Sequence, residues 1–262
     1  MPDTPGPAVV VALVVLVALA VLASAWGRLR TGRRSAVAAL RAVVQLAAVA
    51  LVITVVLRSL LWSLLFTLVM FVVAVATTRR RVEVPARAWP WAATAMAAGI
   101  VPVLVVIFAS RAVPFDGPSL VPFAGIVIGG TMNAHSLAGR RVFGALRDQH
   151  EIYEAALALG LYPRDAVDVV ALRLVPEALV PGTDQTRTVG LVTLPGAFVG
   201  VLLGGGTPVQ AGTAQVLVLV GLLAAQTITV AVAYQLVCRG RLVPPDLSQL
   251  VPRSHPVRSR IV

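Results

Sequence analysis

An all-α, polytopic membrane fold is what this sequence predicts, from its composition, the spacing of its apolar stretches and the placement of its arginines. Of 262 residues, 58% are hydrophobic and 13% charged, with a mean hydropathy of +0.90. Soluble domains carry about 25% charged residues, so a soluble fold could not cover its surface with so few. A helix needs roughly 20 apolar residues to cross a bilayer. Seven stretches approach that length: 8–26, 36–57, 60–78, 91–110, 120–137, 188–203 and 212–237.

The first stretch is expected to remain as a span rather than to act as a signal peptide. No basic residue precedes it, and Trp26-Gly27-Arg28 makes a poor cleavage site. Arginines then mark alternate connections. Arg28, Arg30, Arg33 and Arg34 follow the first span, and Arg79, Arg80, Arg81 and Arg87 follow the third. Arg140, Arg141, Arg147, Arg164 and Arg173 follow the fifth, and Arg239, Arg241, Arg253, Arg258 and Arg260 follow the last. The opposite side has Arg58 and Arg111. The positive-inside rule therefore places the N-terminus outside and the C-terminus in the cytoplasm. The same basic excess attracts anionic lipid. It has no interleaved aromatics of the kind that would read nucleic acid.

One permease-like domain is expected over 1–240, followed by a disordered basic cytoplasmic tail over 241–262. Within the domain, the connection 139–187 is too long for a plain linker. Its pattern is helical. After Asp148, Ile152, Ala155, Ala156 and Leu159 recur at helical spacing until Gly160 and Pro163 stop the run. Asp165 is expected to cap a second helix through Leu174, and Pro176 and Pro181 to bend the chain into the sixth span. Two helices at the cytoplasmic face either dock a partner or lie against the bilayer surface.

Several chemistries are excluded. All 22 basic residues are arginine. Without lysine there is no Walker A loop and no retinal Schiff base. Cys238 is the only cysteine, so an intrachain disulfide or thiolate cluster is impossible. Ser136 beside His135 lacks the orienting carboxylate and elbow of a serine hydrolase. The seven spans contain no Asp or Glu, which argues against a proton- or sodium-coupled secondary transporter. That class, and a non-transporting scaffold, are the alternatives to an ATP-driven permease.

Glu154-Ala155-Ala156, three residues and Gly160 resemble the coupling loop of ABC-transporter permeases. Arg41-Ala42-Val43-Val44-Gln45-Leu46, Val121 to Gly129 with Met132-Asn133-Ala134, Thr188 to Gly196 and Gln215 are similar to motifs of the FetB-type iron-export permease family. That family includes plant membrane proteins linked to aluminium tolerance. The resemblance implies a membrane subunit that exports a metal ion such as iron, or a small solute. It also implies a homodimer working with a separate cytoplasmic ABC ATPase in the bacterial plasma membrane, without a cofactor. The Ala197-Phe198-Val199-Gly200 run departs from the Met-Met-x-Gly that the family carries after Leu-Pro-Gly.

On these grounds Glu154, Ala155, Ala156 and Gly160 are the candidate ATPase contacts. Arg41, Gln45, Met132, Asn133 and Pro195 are expected to converge on one substrate path, although Arg41 alone could snorkel to the interface. His135 adds a nitrogen donor beside Met132 and Asn133. Pro195 is expected to break the sixth helix, since irregular backbone in a membrane survives only against protein or a cavity. Gly125 and Gly129, and Gly196, Gly200 and Gly204, recur at four-residue spacing and are read as helix-packing stripes.

Overall fold

The computed structural model describes residues 6–251. Arg253, Arg258 and Arg260 lie outside the described residues. Among the described residues there are ten α-helices: α1 (Pro7–Trp26), α2 (Gly32–Arg58), α3 (Leu60–Arg81), α4 (Trp89–Ala109), α5 (Gly117–Asp148), α6 (His150–Ala158), α7 (Pro163–Ala171), α8 (Val180–Thr188), α9 (Gly196–Leu203) and α10 (Pro208–Cys238). Among the described residues the only β pairing is an isolated bridge between Val189 and Thr193. Six helices are long and apolar enough to cross a membrane: α1 to α5 and α10.

The chain divides into two compact units after Arg58. In the first, α1 and α2 are in contact, with Gly32 against Val21 near their turn. Ser24 and Thr31 close their turn. The Thr31 N–H donates to Ser24 Oγ at 3.0 Å, and the two hydroxyls lie 2.9 Å apart. Ser24 is the one buried residue of α1. The remaining surface of this hairpin is an apolar coat suited to lipid.

In the second unit, α3, α4, α5 and α10 form a bundle around a core of small and branched side chains. The closest approach is between α4 and α10. A Cβ at Gly99 would collide with the Ala225 carbonyl oxygen and Thr229 Oγ1. Further along, Gly221 lies against Val103 and Ile107, so these two helices are antiparallel. By contrast, α5 and α10 run in the same direction. Gln226 Nε2 donates to the Gly130 carbonyl at 3.2 Å, and later in both helices Val142 and Val237 line one small cavity.

A parallel pair requires the chain between its members to travel back along the bundle. α8 and α9 make that return. Gly182 on α8 lies against the Gln226 amide, and α9 packs on α10.

The long helices match the apolar stretches, with three differences. The fifth helix continues to Asp148 because Val142, Phe143, Ala145 and Leu146 remain buried on one face beyond residue 137. The first part of the long connection is therefore helix α5. The second is that the stretch 188–203 is not one helix. Residues 189–195 turn back through Gly190 (φ 79°) and the Val189–Thr193 bridge, and α9 starts only after Pro195. Eight residues of α9 rise about 12 Å at 1.5 Å each, too short to span a bilayer alone.

Lastly, Asp165 does not cap the second loop helix. Tyr162 holds the cap position with extended backbone, Pro163 supplies a pre-set first residue, and Asp165 lies in the first turn. That helix ends at Ala171 and tightens into a 3-10 stretch, Leu172–Leu179. Pro176 has no N–H for the carbonyl four residues back, which disfavours continued α geometry.

Residues 241–251 open the stretch read from sequence as a disordered tail. They pack onto the bundle. Leu242, Val243, Leu247 and Val251 are buried, Arg241 stacks 4.5 Å over Trp91, and Arg147 Nε donates to Asp246 Oδ2 at 2.7 Å. That hydrogen bond holds the Asp246 carboxyl below its ordinary value.

Candidate functional site

The candidate coupling helices stand at the end of α5. α6 buries Tyr153 and Ala156 and leaves Glu154 and Ala155 exposed. It stops at Gly160, whose φ of 90° strains any residue with a Cβ. The Gly160 N–H donates to the Leu157 carbonyl at 2.9 Å, and the Leu161 N–H to the Ala156 carbonyl at 3.1 Å, closing the helix end. α7 then folds back onto α6, burying Ala166, Val167, Val170 and Ala171. The pair exposes the apolar Ile152, Leu159, Tyr162 and Val169, with Leu159 82% exposed, among the charged Glu151, Glu154, Arg164 and Asp165. Large apolar side chains exposed among charged ones are a composition that suits docking.

Tyr153 anchors α6. Its ring is fully buried, its hydroxyl has no hydrogen-bond partner, and burial raises its pKa. Removing that hydroxyl relieves an unsatisfied group without opening space. Tyr153→Phe is therefore expected to leave stability unchanged or raise it by about 1 kcal/mol. Thermal unfolding of the purified chain in detergent checks this; a clear fall in midpoint would mean that the hydroxyl is used.

A second contact ties α7 to the bundle. Tyr234 Oη on α10 donates to Asp168 Oδ1 on α7 at 2.6 Å, and Cys238 Sγ lies 3.9 Å from the same oxygen. Beside it, Arg141 on α5 pairs with Glu177 at 3.1 Å.

Of the five residues expected on one path, two belong to the first unit and three to the second. Arg41 and Gln45 are exposed on α2, in the first unit. Met132 is half-buried, and its carbonyl accepts from Ser136 Oγ at 2.7 Å and Thr78 Oγ1 at 3.4 Å. Asn133 is exposed and accepts from Arg81 Nη1 at 3.1 Å. Pro195 is the N-cap of α9. Met132 and Asn133 thus address α3 and their own helix.

The glycine stripes are not where this chain packs most closely. A Cβ would meet nothing within 4 Å at Gly129, Gly196 or Gly200, only Met70 Cε at Gly125, and only α9's own carbonyls at Gly204. The intimate approaches fall at Gly99, Gly130, Gly139 and Gly182.

Of a buried polar interior, the sequence pointed to His135 and Gln215 alone. Thr131, His135, Gln226 and Thr229 are all buried, and each retains a side-chain atom without a hydrogen-bond partner: Thr131 Oγ1, both His135 nitrogens, Gln226 Oε1 and Thr229 Oγ1. Thr131 and His135 are one turn apart on α5; Gln226 and Thr229 are nearly so on α10. Gln215, nearer the start of α10, is also buried with Oε1 unpartnered. A polar side chain inside an apolar span is itself a signal, and Gln226 and Thr229 showed it. Among the described residues no three His, Cys, Asp or Glu side chains gather to hold a metal ion.

The sequence pattern of the uncharacterised protein family UPF0014 matches residues 7–241. The chain belongs to UPF0014. The UPF0014 membrane protein STAR2 of Oryza sativa subsp. japonica is 33% identical over 221 residues, covering 84% of this chain and 78% of that protein. The probable iron export permease protein FetB of Escherichia coli strain K12 is 31% identical over 183 residues, 68% of this chain and 69% of FetB. Protein ALUMINUM SENSITIVE 3 of Arabidopsis thaliana is 30% identical over 168 residues, 64% of this chain and 62% of that protein. No solved structure matches the chain. UPF0014 membership accords with the motifs of the second, fifth and last long helices and of the coupling loop. It makes this chain a membrane protein with a permease among its relatives.

Proposed function

We propose that this UPF0014 chain is the membrane-spanning subunit of an ABC exporter in a bacterial plasma membrane, moving a metal ion such as iron or a small solute. A separate cytoplasmic ATPase drives it. One observation carries the reading: α6 and α7 expose Ile152, Leu159, Tyr162 and Val169 beside the carboxylate of Glu154, with the left-handed Gly160 at their turn. The exposed carboxylate offers a strong acceptor to a partner's donors. The glycine fixes the turn that presents it.

Two copies of the chain would serve a pair of ATPase subunits. Open faces at Gly129, Gly196 and Gly200 could then receive a second copy. The parallel α5 and α10 support a seventh crossing made by α8 and α9 as two half-helices. With the arginine bias, seven crossings put the N-terminus outside and α6 and α7 in the cytoplasm. Interrupted helices often border transporter sites. Gln226, against Gly182 on α8, and its polar neighbours Thr131 and Thr229 are the better candidates for the path. Arg41, Gln45, Met132, Asn133 and Pro195 remain candidates for its mouths.

Glu154→Arg and Gly160→Leu are expected to lower ATPase co-purification by about tenfold or more, equivalent to about 1.4 kcal/mol or more, while the permease stays inserted. Recovery of the ATPase at the wild-type ratio with both variants would remove the coupling role of α6.

A further inference from the structure

The turn between α1 and α2 gathers positive charge that no carboxylate among the described residues pairs with. Residues 6–82 contain no Asp or Glu. Arg28, Arg30 and Arg33 nevertheless line one open cavity of about 460 Å³, floored by Val21, Ser24 and Gly32. None of the three pairs with a carboxylate among the described residues. Such a volume is within the range of small-ligand sites.

The backbone here has a defined form. Arg28 and Arg30 both take left-handed conformations, with φ of 53° and 56°, which are uncommon for residues with a Cβ. The Ser24–Thr31 hydrogen bonds hold the turn shut beneath them. Outside the cavity's lining, the same turn has an apolar rim. Trp26 is 92% exposed and Leu29 66%, and α1 behind them is a continuous apolar rod. A guanidinium cluster matches phosphate oxygens through paired N–H donors. An exposed tryptophan and leucine beside it match the acyl boundary just below a headgroup.

We propose that the α1–α2 turn is a binding site for the phosphate headgroup of an anionic phospholipid, with Arg28, Arg30 and Arg33 as its ligands and Trp26 and Leu29 against the chains. A free phosphate ion would use the arginines but gain nothing from the apolar rim, so the rim selects the lipid. The hairpin is thereby fixed in depth by a headgroup as well as by its hydrophobic length. This assignment requires the turn to face a bilayer surface and does not depend on what the protein transports.

The full chain, purified in detergent, is titrated with phosphatidylglycerol or phosphatidylcholine and lipid adducts are counted by native mass spectrometry. The wild type is expected to hold phosphatidylglycerol about tenfold or more tightly than phosphatidylcholine. Arg28→Gln/Arg30→Gln/Arg33→Gln is expected to abolish that preference. Arg80→Gln/Arg140→Gln/Arg173→Gln removes the same charge elsewhere and is expected to keep it. Millimolar inorganic phosphate is expected not to displace the lipid. Equal preference in the two triple variants would overturn the site, as would displacement by inorganic phosphate or a wild type that does not discriminate. If the first variant does not fold, Arg30→Gln alone and the two wild-type titrations carry the same decision.

Discussion

Gly99→Leu is expected to leave little folded protein in the membrane. Even a single Cβ at this position would overlap the Ala225 carbonyl oxygen and Thr229 Oγ1 on α10. The first of these is backbone, so no rotamer change relieves the contact. α4 and α10 would have to separate along a pairing that supplies much of the core: Ala92, Ala95, Met96, Ile100 and Val103 from one helix, Val218, Leu222 and Ala225 from the other. Overpacking of a well-filled interior costs about 1–3 kcal/mol, occasionally more, against total stabilities of roughly 5–15 kcal/mol. Three further carbons at an unyielding contact belong at the upper end. Gly99→Ala is expected to be milder but still destabilising. Gly129→Ala, facing open space, is expected to be silent within about 0.5 kcal/mol. Detergent-extracted yield and denaturation midpoint measure all three. A Gly99→Leu variant with wild-type yield and midpoint would show that the helices do not meet as described.

Asp168→Ala is expected to abolish most transport while sparing insertion and ATPase binding. The Asp168–Tyr234 hydrogen bond, 2.6 Å long, joins α7, the second of the proposed coupling helices, to the C-terminal part of α10. A force on α6 and α7 reaches α10 through this bond as well as through packing. Hydrogen bonds to a charged group contribute about 1.5–3 kcal/mol, enough to decide whether two elements move together. Tyr234→Phe is expected to give the same loss, and the double variant no further loss, because one bond is removed in each case. The readout is cargo flux and ATP hydrolysis in liposomes containing permease and ATPase. Additive losses, or a Tyr234→Phe variant with full flux, would separate the two residues and end the linkage.

The sequence carried the long helices well. α3 begins at Leu60 where the hydropathy begins, because Ser59 and the preceding arginine interrupt the apolar run. The end of α6 was legible for a local reason too: Gly160 and Pro163 are stop signals whatever surrounds them. Legibility failed where the deciding partner lies far along the chain. Gly125 and Gly129 form a stripe by spacing, yet Gly99, with no stripe, makes the closest approach to another helix's backbone, since closeness depends on the facing helix. Residues 188–203 are apolar enough to average into a span. Hydropathy does not register that Gly190 turns the backbone and Pro195 restarts it. Depth along a helix, the ground for grouping Arg41, Gln45, Met132, Asn133 and Pro195, does not fix direction around its axis; the Asn133–Arg81 hydrogen bond is a contact that depth does not reveal.

The fit of α10 against Gly99 also sets a schedule. The contacting residues, Gly99 and Thr229, are 130 positions apart. At about 5–20 residues per second of synthesis, α4 waits on the order of ten seconds in the membrane with its smallest-residue groove uncovered. During that interval the groove is open to any other helix with a flat, small face. α4 is therefore the helix on which a quality-control protease or chaperone has most time to act, and variants that slow the arrival of α10 should be cleared before they are ever assembled.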